Sequence, residues 1–207
     1  MLSRSIAFDK PDDAHLPVFI PQSILDEAAE RSGEAGANET GGILIGRLHR
    51  DPDGPVFVEV TAQIPARHAK AEVTSLTFTR ETWTDVQAAL DLRASGGREI
   101  MVGWWHTHSF LKEICQDCQK RKDRTCNKDA LFLSEDDRVL HRTVFPRAWN
   151  VALVVSDAPC SGLSYALFGW SRGRIARRGF HVLDGDRTPG DRREPSHVLS
   201  TSQERES

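Results

Sequence analysis

The feature that most constrains the fold is a pair of nearly continuous apolar runs. They are EIMVGWWHTH at residues 99–108 and WNVALVVS at residues 149–156. Runs of this kind are typical of strands that are buried on both faces of a sheet. Between them, SEDDRVLHRTV has the pattern of a helix with Ser134 as its N-cap. Strand, helix and strand form a βαβ unit, whose parallel strands end at the same edge of the sheet.

The rest of the chain extends this unit into one α/β domain. Its 207 residues suit a single domain with its own core. The overall pattern predicts a mixed sheet flanked by helices on both faces. The further predicted elements are a helix from Pro21 to about Gly33, a hairpin of GGILIGRLH and PVFVEVTAQI, a short strand SLTFTR, a helix over ETWTDVQAALDLRAS, and a final antiparallel pair of LSYALFGW and GRIARRGFHVL.

The two ends of the chain differ in composition from the middle. Residues 184–207 are rich in Asp, Arg, Pro and Ser and offer little to bury, so we expect a disordered tail. Residues 1–16 are predicted to be a loosely attached lead-in. The domain itself is therefore predicted to span residues 17–183.

Composition and charge exclude several classes of partner. The formal net charge of −3 gives no electrostatic case for nucleic acid or an anionic membrane. No apolar run approaches the roughly 18 residues of a membrane span, and the N-terminus lacks the apolar core of a signal peptide. We therefore expect a cytoplasmic protein. In a reducing compartment, its four cysteines favour metal ligation over disulfides.

His106 and His108 lie two residues apart at the end of the first buried strand. The two-residue period of a strand points both imidazoles to one face, where their nitrogens can share a metal ion. A His-x-His pair alone is more often a polar strand end. Asp137, on the first turn of the following helix, offers a third ligand, although Ser134-x-x-Asp137 is also the pattern of a capping box. Two histidines and a carboxylate with an open fourth position are typical of catalytic zinc.

Hydrolysis at such a zinc also needs a group that takes a proton from water and delivers it to the leaving amine. Glu39, in NETGGILIG, stands just ahead of a strand in which Gly41 and Gly42 allow close backbone packing. A solvated surface charge is the alternative interpretation of an isolated loop glutamate.

Together, ETGGILIG, GWWHTHS and SEDD resemble the JAMM or MPN-plus metalloprotease family (Mov34/PAD-1, prokaryotic JAB) in residue type and order. The resemblance spans roughly residues 18–181. It implies His106, His108 and Asp137 as ligands of a catalytic zinc, Glu39 as general base and acid, and Ser134 as a residue that stabilises the tetrahedral oxyanion. It also implies the family fold, a cytidine-deaminase-like three-layer α/β sandwich.

The same resemblance implies an isopeptidase that cuts after the C-terminal glycine of a ubiquitin-like protein. The compact chain is similar to stand-alone prokaryotic members of the family. This similarity implies that its partner is a ubiquitin-like protein of a bacterial conjugation system. By analogy alone, that system would serve in antiphage defence. Two departures from the family pattern stand out. Ser109 replaces a frequent proline, and residues 109–133, that is 25 residues, separate His108 from Ser134, where the family usually has a much shorter loop.

The extra length carries Cys115, Cys118 and Cys126 within an insert over residues 109–132. Its Gln, Asp, Lys and Arg cannot build an apolar core, so thiolate coordination of a second, structural zinc would order it. Cys160 is the first choice for the fourth ligand, because it follows the second parallel strand. His141 and Asp129 are the alternatives for that ligand. A redox Cys-x-x-Cys pair and idle thiols are the alternatives to a metal site.

The sequence patterns leave three other functions open. A metal-free binding scaffold of the MPN-minus kind would have lost one or more ligands, and none is missing here. A zinc deaminase of nucleotides would show His-x-Glu and a later Pro-Cys-x-x-Cys. DNA-repair-associated relatives share His-x-His and Ser-x-x-Asp, and the strand context of Glu39 argues against them. The sequence predicts neither the modifier, its target nor the oligomeric state.

Overall fold

The structure is a computed structural model. It describes residues 4–36, 38–52, 54–67, 70–71, 76–93, 98–109, 131–158 and 162–183. The strands are β1 Ser5–Phe8, β2 Val18–Pro21, β3 Gly41–Arg50, β4 Val56–Pro65, β5 Lys70–Ala71, β6 Leu76–Thr77, β7 Ile100–Thr107, β8 Val151–Ala158, β9 Gly162–Ser171, β10 Arg174–Arg178 and β11 Phe180–Leu183. The helices are α1 Gln22–Glu34, α2 Arg80–Arg93 and α3 Glu135–Val144.

Within the described residues, nine strands form one mixed sheet in the order β1-β11-β2-β4-β3-β7-β8-β9-β10. The pairs β11 with β2, β2 with β4, and β7 with β8 are parallel, and the other neighbours are antiparallel. The short strands β5 and β6 pair separately. Strand β7, helix α3 and strand β8 form the predicted βαβ unit, with Thr107 opposite Val155 near the shared edge.

Each face of the sheet carries its own apolar cluster. On one face, Leu25 and Ala28 of α1 pack with Trp105. On the other, Val86 of α2 packs with Trp104 and with the side chains at the end of α3. Both tryptophans are fully buried, one on each face. The predicted α/β fold, a mixed sheet flanked by helices, is confirmed.

Two glycines permit the close packing of β7 against its neighbours. A Cβ atom at Gly103 would lie 2.1 Å from the carbonyl oxygen of Val151, so the residue facing β8 has room for a hydrogen only. A Cβ atom at Gly42 would lie 2.4 Å from the carbonyl oxygen of Ile64 and 2.7 Å from Nε1 of Trp105. The glycine-rich start of β3 therefore allows the strand carrying the histidines to sit directly beside it.

The ends of the sheet differ from the sequence-based prediction. No strand was predicted before residue 17, but Ser5–Phe8 pairs with Phe180–Leu183. The segment GRIARRGFHVL was predicted as one partner of an antiparallel pair, and it divides instead at Gly179. Arg174–Arg178 pairs with β9, whereas the following strand lies beside β2. A Cβ atom at Gly179 would lie 2.3 Å from the backbone nitrogen of Pro11, so the lead-in crosses the chain directly over this break.

The division of the chain at residues 16 and 183 stays a prediction. Residues 184–207, and residues 110–130 of the insert, lie outside the described residues. Among the helices that the structure describes, none has the length and apolarity needed to cross a membrane.

Candidate metal centre

The C-terminal end of β7 and the first turn of α3 bring together three side chains that can bind metal. His106, His108 and Asp137 each offer one ligand atom, and these atoms all lie within 4.8 Å of one another. His106 and His108 share a face because they are two residues apart on an extended chain. Asp137 reaches them because α3 packs over the same face of the sheet. The three predicted ligands are therefore neighbours, although 31 positions separate Asp137 from His106 in the sequence (137 − 106).

The distances between the ligand atoms fit a small divalent cation. Nε2 of His106 lies 3.0 Å from Nε2 of His108 and 3.5 Å from Oδ2 of Asp137. Ligands about 2.1 Å from a tetrahedral zinc lie roughly 3.4 Å apart, so the two measured edges are close to those of such a site. Three protein ligands leave one coordination position for water or substrate. His106, His108 and Asp137 are thus suited to hold a metal ion of this kind.

The N-terminus of α3 fixes the carboxylate of Asp137. The backbone N–H and the hydroxyl of Ser134 both donate to Oδ2 of Asp137, at 2.8 and 2.7 Å. In return, the backbone N–H of Asp137 donates to the hydroxyl oxygen of Ser134 at 3.1 Å. These bonds form the capping box that the sequence offered as the alternative interpretation. The capping box and a ligand role are compatible, because the cap holds the carboxylate facing His106.

The charge state of Asp137 also suits a ligand. Burial alone favours its neutral acid, but the hydrogen bond and charge of His106, with the bonds from Ser134, outweigh burial and lower the pKa of Asp137. The carboxylate is therefore ionised under ordinary conditions and ready to bind a cation.

The imidazole of His106 lies within an aromatic stack. It is fully buried, and its ring lies 4.8 Å from that of Trp104 with an interplanar angle of 14°. The Trp104 indole N–H donates to Nδ1 of His141, at 3.1 Å, one helical turn after Asp137. Among the described residues, Nδ1 of His106 has no hydrogen-bond partner, so only Nε2 is turned toward the other ligands. Sequence reasoning missed Trp104, since a tryptophan in an apolar strand shows no sign of contact with a ligand.

His108 is held by the neighbouring strand and by an aromatic ring. Its backbone N–H donates to the carbonyl oxygen of Val155 in β8 at 2.8 Å. Its imidazole lies 4.7 Å from the ring of Phe132, which is 41% exposed. Phe132 therefore contacts the second histidine and is itself partly open to solvent.

Glu39 is buried beside this cluster, with 4% of its surface exposed, and is therefore not the solvated loop charge of the alternative interpretation. Burial raises the pKa of Glu39 to about 7, opposed by the charge of His106 and assisted by that of Asp137. The influence of both ligands on this carboxyl places it in their electrostatic neighbourhood. A carboxyl with a pKa near 7 can both accept and release a proton at neutral pH.

The second predicted site lies mostly outside the described residues. Cys115, Cys118, Cys126 and Cys160 are all outside them, as is Asp129. His141 is described and fully buried, with Nδ1 accepting from Trp104. Burial lowers the pKa of His141 to about 4, which keeps the ring neutral. The structural zinc and its fourth ligand stay predictions.

Comparison with known proteins gives a matching family and similar solved structures. The family described as JAB1/Mov34/MPN/PAD-1 ubiquitin protease matches residues 11–127, more than half of the chain. This range includes Glu39, His106 and His108 and ends before Ser134 and Asp137. The solution structure of protein DSY2949 from Desulfitobacterium hafniense shares 18% identity, covers 83% of this chain and 95% of its own, and has a TM-score of 0.48. A comparison with curated proteins finds no significant match.

Proposed function

The chain belongs to the JAB1/Mov34/MPN/PAD-1 ubiquitin protease family, and from this premise we propose that it is a zinc-dependent isopeptidase. Its substrate is a peptide or isopeptide bond that follows the C-terminal glycine of a ubiquitin-like protein. The observation that carries the proposal is the cluster of His106, His108 and Asp137 with the buried carboxyl of Glu39 beside it.

The three ligand residues would hold the zinc ion. When bound, zinc supplies Lewis acidity, which acidifies water and polarises a carbonyl group. His106 presents Nε2 from a ring that Trp104 keeps in place by stacking. Asp137 presents a carboxylate that Ser134 holds at the helix N-terminus. The ligands thus come from two elements whose mutual position is fixed by the βαβ unit.

Glu39 takes the role of general base and then general acid. Its raised pKa means that a proton taken from water at neutral pH can be passed on to the leaving amine without a large cost in either direction. The positive charge of a bound metal would lower that pKa, so the base form would predominate once the site is loaded.

Ser134 supports the reaction through Asp137. Its hydroxyl proton is committed to Oδ2 of Asp137, and its oxygen accepts from the Asp137 backbone N–H. Stabilising a substrate oxyanion would require that the proton turn away from the carboxylate. The oxyanion role assigned to Ser134 by resemblance therefore stays a prediction, and the support of Asp137 is the role that its contacts favour.

Limited access to the cluster supports a substrate with a glycine tail. The side chain of His106 is 1% exposed and that of Asp137 is 16% exposed, so little room surrounds the ligand atoms. A chain end without side chains can approach such a site with less steric conflict than other sequences. The identity of the ubiquitin-like protein and its setting in a bacterial conjugation or defence system stay predictions.

The decisive experiment combines metal analysis with cleavage. The purified chain is loaded with zinc and given two probes: ubiquitin joined through its C-terminal glycine to a small reporter, and a fluorogenic Gly-Gly-coumarin peptide. We expect His106→Ala to lose the metal and activity together. Glu39→Gln should keep the metal and lose at least about 100-fold in kcat, the usual scale of general acid-base catalysis.

A matched control is His181→Gln. His181 lies on β11, beyond β2 and β4 from the strands of the site, and should leave metal content and cleavage unchanged. A wild-type chain that binds zinc but cleaves neither probe would favour the binding scaffold over the enzyme. Retained turnover in Glu39→Gln would remove Glu39 from its assigned role.

A further inference from the structure

The hydrogen bonding between β3 and β7 changes at the residue pair beside the candidate site. Gly41 lies opposite His106, and a backbone hydrogen bond joins the next residues outward, Thr40 and Thr107. The Thr107 backbone N–H donates to the carbonyl oxygen of Thr40 at 2.8 Å, as in a regular antiparallel pair. The reciprocal bond does not use the Thr107 carbonyl, because the Thr40 N–H donates to the side-chain Oγ1 of Thr107 at 2.9 Å.

The hydrogen bond from the Thr40 N–H to the Thr107 hydroxyl involves the peptide group that follows Glu39. The N–H of Thr40 belongs to the peptide group that begins with the carbonyl carbon of Glu39. A bond to that N–H restrains the orientation of the peptide plane, and the Cα atom of Glu39, from which the side chain leaves the backbone, lies in that plane. Thr107 lies between His106 and His108 in the sequence, so the same residue is tied to both ligands and to the catalytic carboxyl.

A second hydroxyl supports the first. Oγ of Ser109 lies 3.1 Å from Oγ1 of Thr107, and both residues are fully buried. With the Thr40 N–H on one side and Ser109 on the other, Oγ1 of Thr107 is held in one orientation. A proline at position 109, which is frequent in the family, has no hydroxyl with which to make this contact.

We propose that Thr107, oriented by Ser109, is the positioning residue that sets Glu39 relative to His106 and His108. The inference rests on the proposed function, because Glu39 matters as a proton carrier only in that reaction. Thr107 is assigned no contact with substrate, because its buried hydroxyl is engaged by the Thr40 N–H and by Ser109. Its loss should therefore change kcat and leave KM nearly unchanged.

The test uses the full, zinc-loaded chain and four variants, Thr107→Val, Thr107→Ser, Ser109→Ala and Thr82→Val. Thr107→Val keeps the shape of the side chain and removes the hydroxyl, and Thr107→Ser restores the hydroxyl without the methyl group. Thr82→Val is the matched control, because Thr82 is a buried threonine of α2 whose hydroxyl has no partner among the described residues. The readouts are kcat and KM with the Gly-Gly-coumarin peptide, zinc per chain, and hydrogen exchange of the Thr40 amide by NMR.

We expect Thr107→Val to retain zinc and to lose about 10- to 100-fold in kcat, because a displacement near 1 Å can cost about 100-fold. KM should change by less than about threefold, and Thr40 amide exchange should accelerate about tenfold, the effect of one lost hydrogen bond. Thr107→Ser should recover most of both changes. Ser109→Ala should lower kcat in the same direction by about two- to fivefold. Thr82→Val should match the wild type.

A wild-type kcat in Thr107→Val would contradict the inference directly, and two further results would also overturn it. One is Thr40 exchange in Thr107→Val at the wild-type rate. The other is loss of zinc in that variant, which would show that Thr107 supports the ligands and not Glu39. Failure of the proposed function has a different signature: the wild type cleaves neither probe, and Thr40 exchange still reports whether the hydroxyl holds the Glu39 peptide.

Discussion

His141 allows a quantitative test of how the core beside the candidate site responds to pH. Its ring is fully buried between Phe145 and Trp170, and its Nδ1 accepts the indole proton of Trp104. A protonated ring would carry a hydrogen on Nδ1 that faces this donor, and it would bring a charge into an apolar cluster. The folded protein therefore binds a proton at His141 less readily than the unfolded chain does.

The size and sign of the effect follow from the pKa of His141. Burial lowers it from 6.5 to about 4. The stabilisation is fully present above pH 6.5 and is lost as the pH falls from 6.5 to 4, because only the unfolded chain takes up the proton in that interval. At about 1.4 kcal/mol for each pH unit, the loss amounts to about 3 kcal/mol.

The assay is urea unfolding, followed by tryptophan fluorescence, of the wild type and His141→Gln at pH 7.5, 5.5 and 4. A chelator in every sample keeps metal release from His106 and His108 out of the comparison. The difference in free energy of unfolding between the two proteins should shift by about 3 kcal/mol in favour of the variant as the pH falls. Burial also lowers the pKa of the partly buried His181, so His181→Gln should give a smaller shift of the same sign. A difference for His141→Gln that stays constant across the three pH values would refute the assignment of a neutral buried ring.

Three further predictions concern the support of the site. Ser134→Ala removes the capping box and should lower the free energy of unfolding by about 1 kcal/mol. It should also weaken zinc affinity about 10- to 100-fold, measured by competition with a chelator, because Asp137 loses the bonds that orient it. Gly42→Ala places a methyl group 2.4 Å from the carbonyl oxygen of Ile64 and should destabilise the fold by about 1 to 3 kcal/mol in urea unfolding. Elemental analysis should find close to two zinc ions per chain and about one in Cys115→Ser, whereas a single zinc unaffected by that change would exclude the second site.

The part of the candidate site that could be predicted consists of residues that lie together in short sequence motifs. His106 and His108 point to the same face of any extended strand. Ser134 and Asp137 lie at the first turn of any helix that begins after Ser134. The order of a buried strand, a helix and a second buried strand then determines which edge they occupy. The burial of Glu39 could not be predicted in this way, because it depends on the fold bringing Glu39 beside His106 and Asp137, which lie on distant parts of the chain.

The parts that could not be predicted depend on long-range pairing. Phe180–Leu183 continues the alternating pattern of the preceding strand, and only the close approach of the lead-in at Gly179 separates the two. Ser5–Phe8 is short, and its outer residue Ile6 is 59% exposed, so it has little apolar signal of its own. Its place in the sheet comes from pairing with the last strand, which a local pattern cannot indicate.

The position of the candidate centre follows from where β7 changes its partners. The Thr107 backbone N–H bonds to Thr40 of the β3 side, and the next N–H, that of His108, bonds to Val155 of β8. The end of this strand is therefore held from both sides while its imidazoles emerge on one face. A metal centre gains affinity when its ligands need little reorganisation, so such a strand end is a favourable support for two histidines. The insert begins directly after this point, and the chain returns at Leu131, three residues before Ser134. The two described ends of the insert therefore both lie beside the candidate ligands, because Ser109 follows His108 and the ring of Phe132 contacts the His108 imidazole.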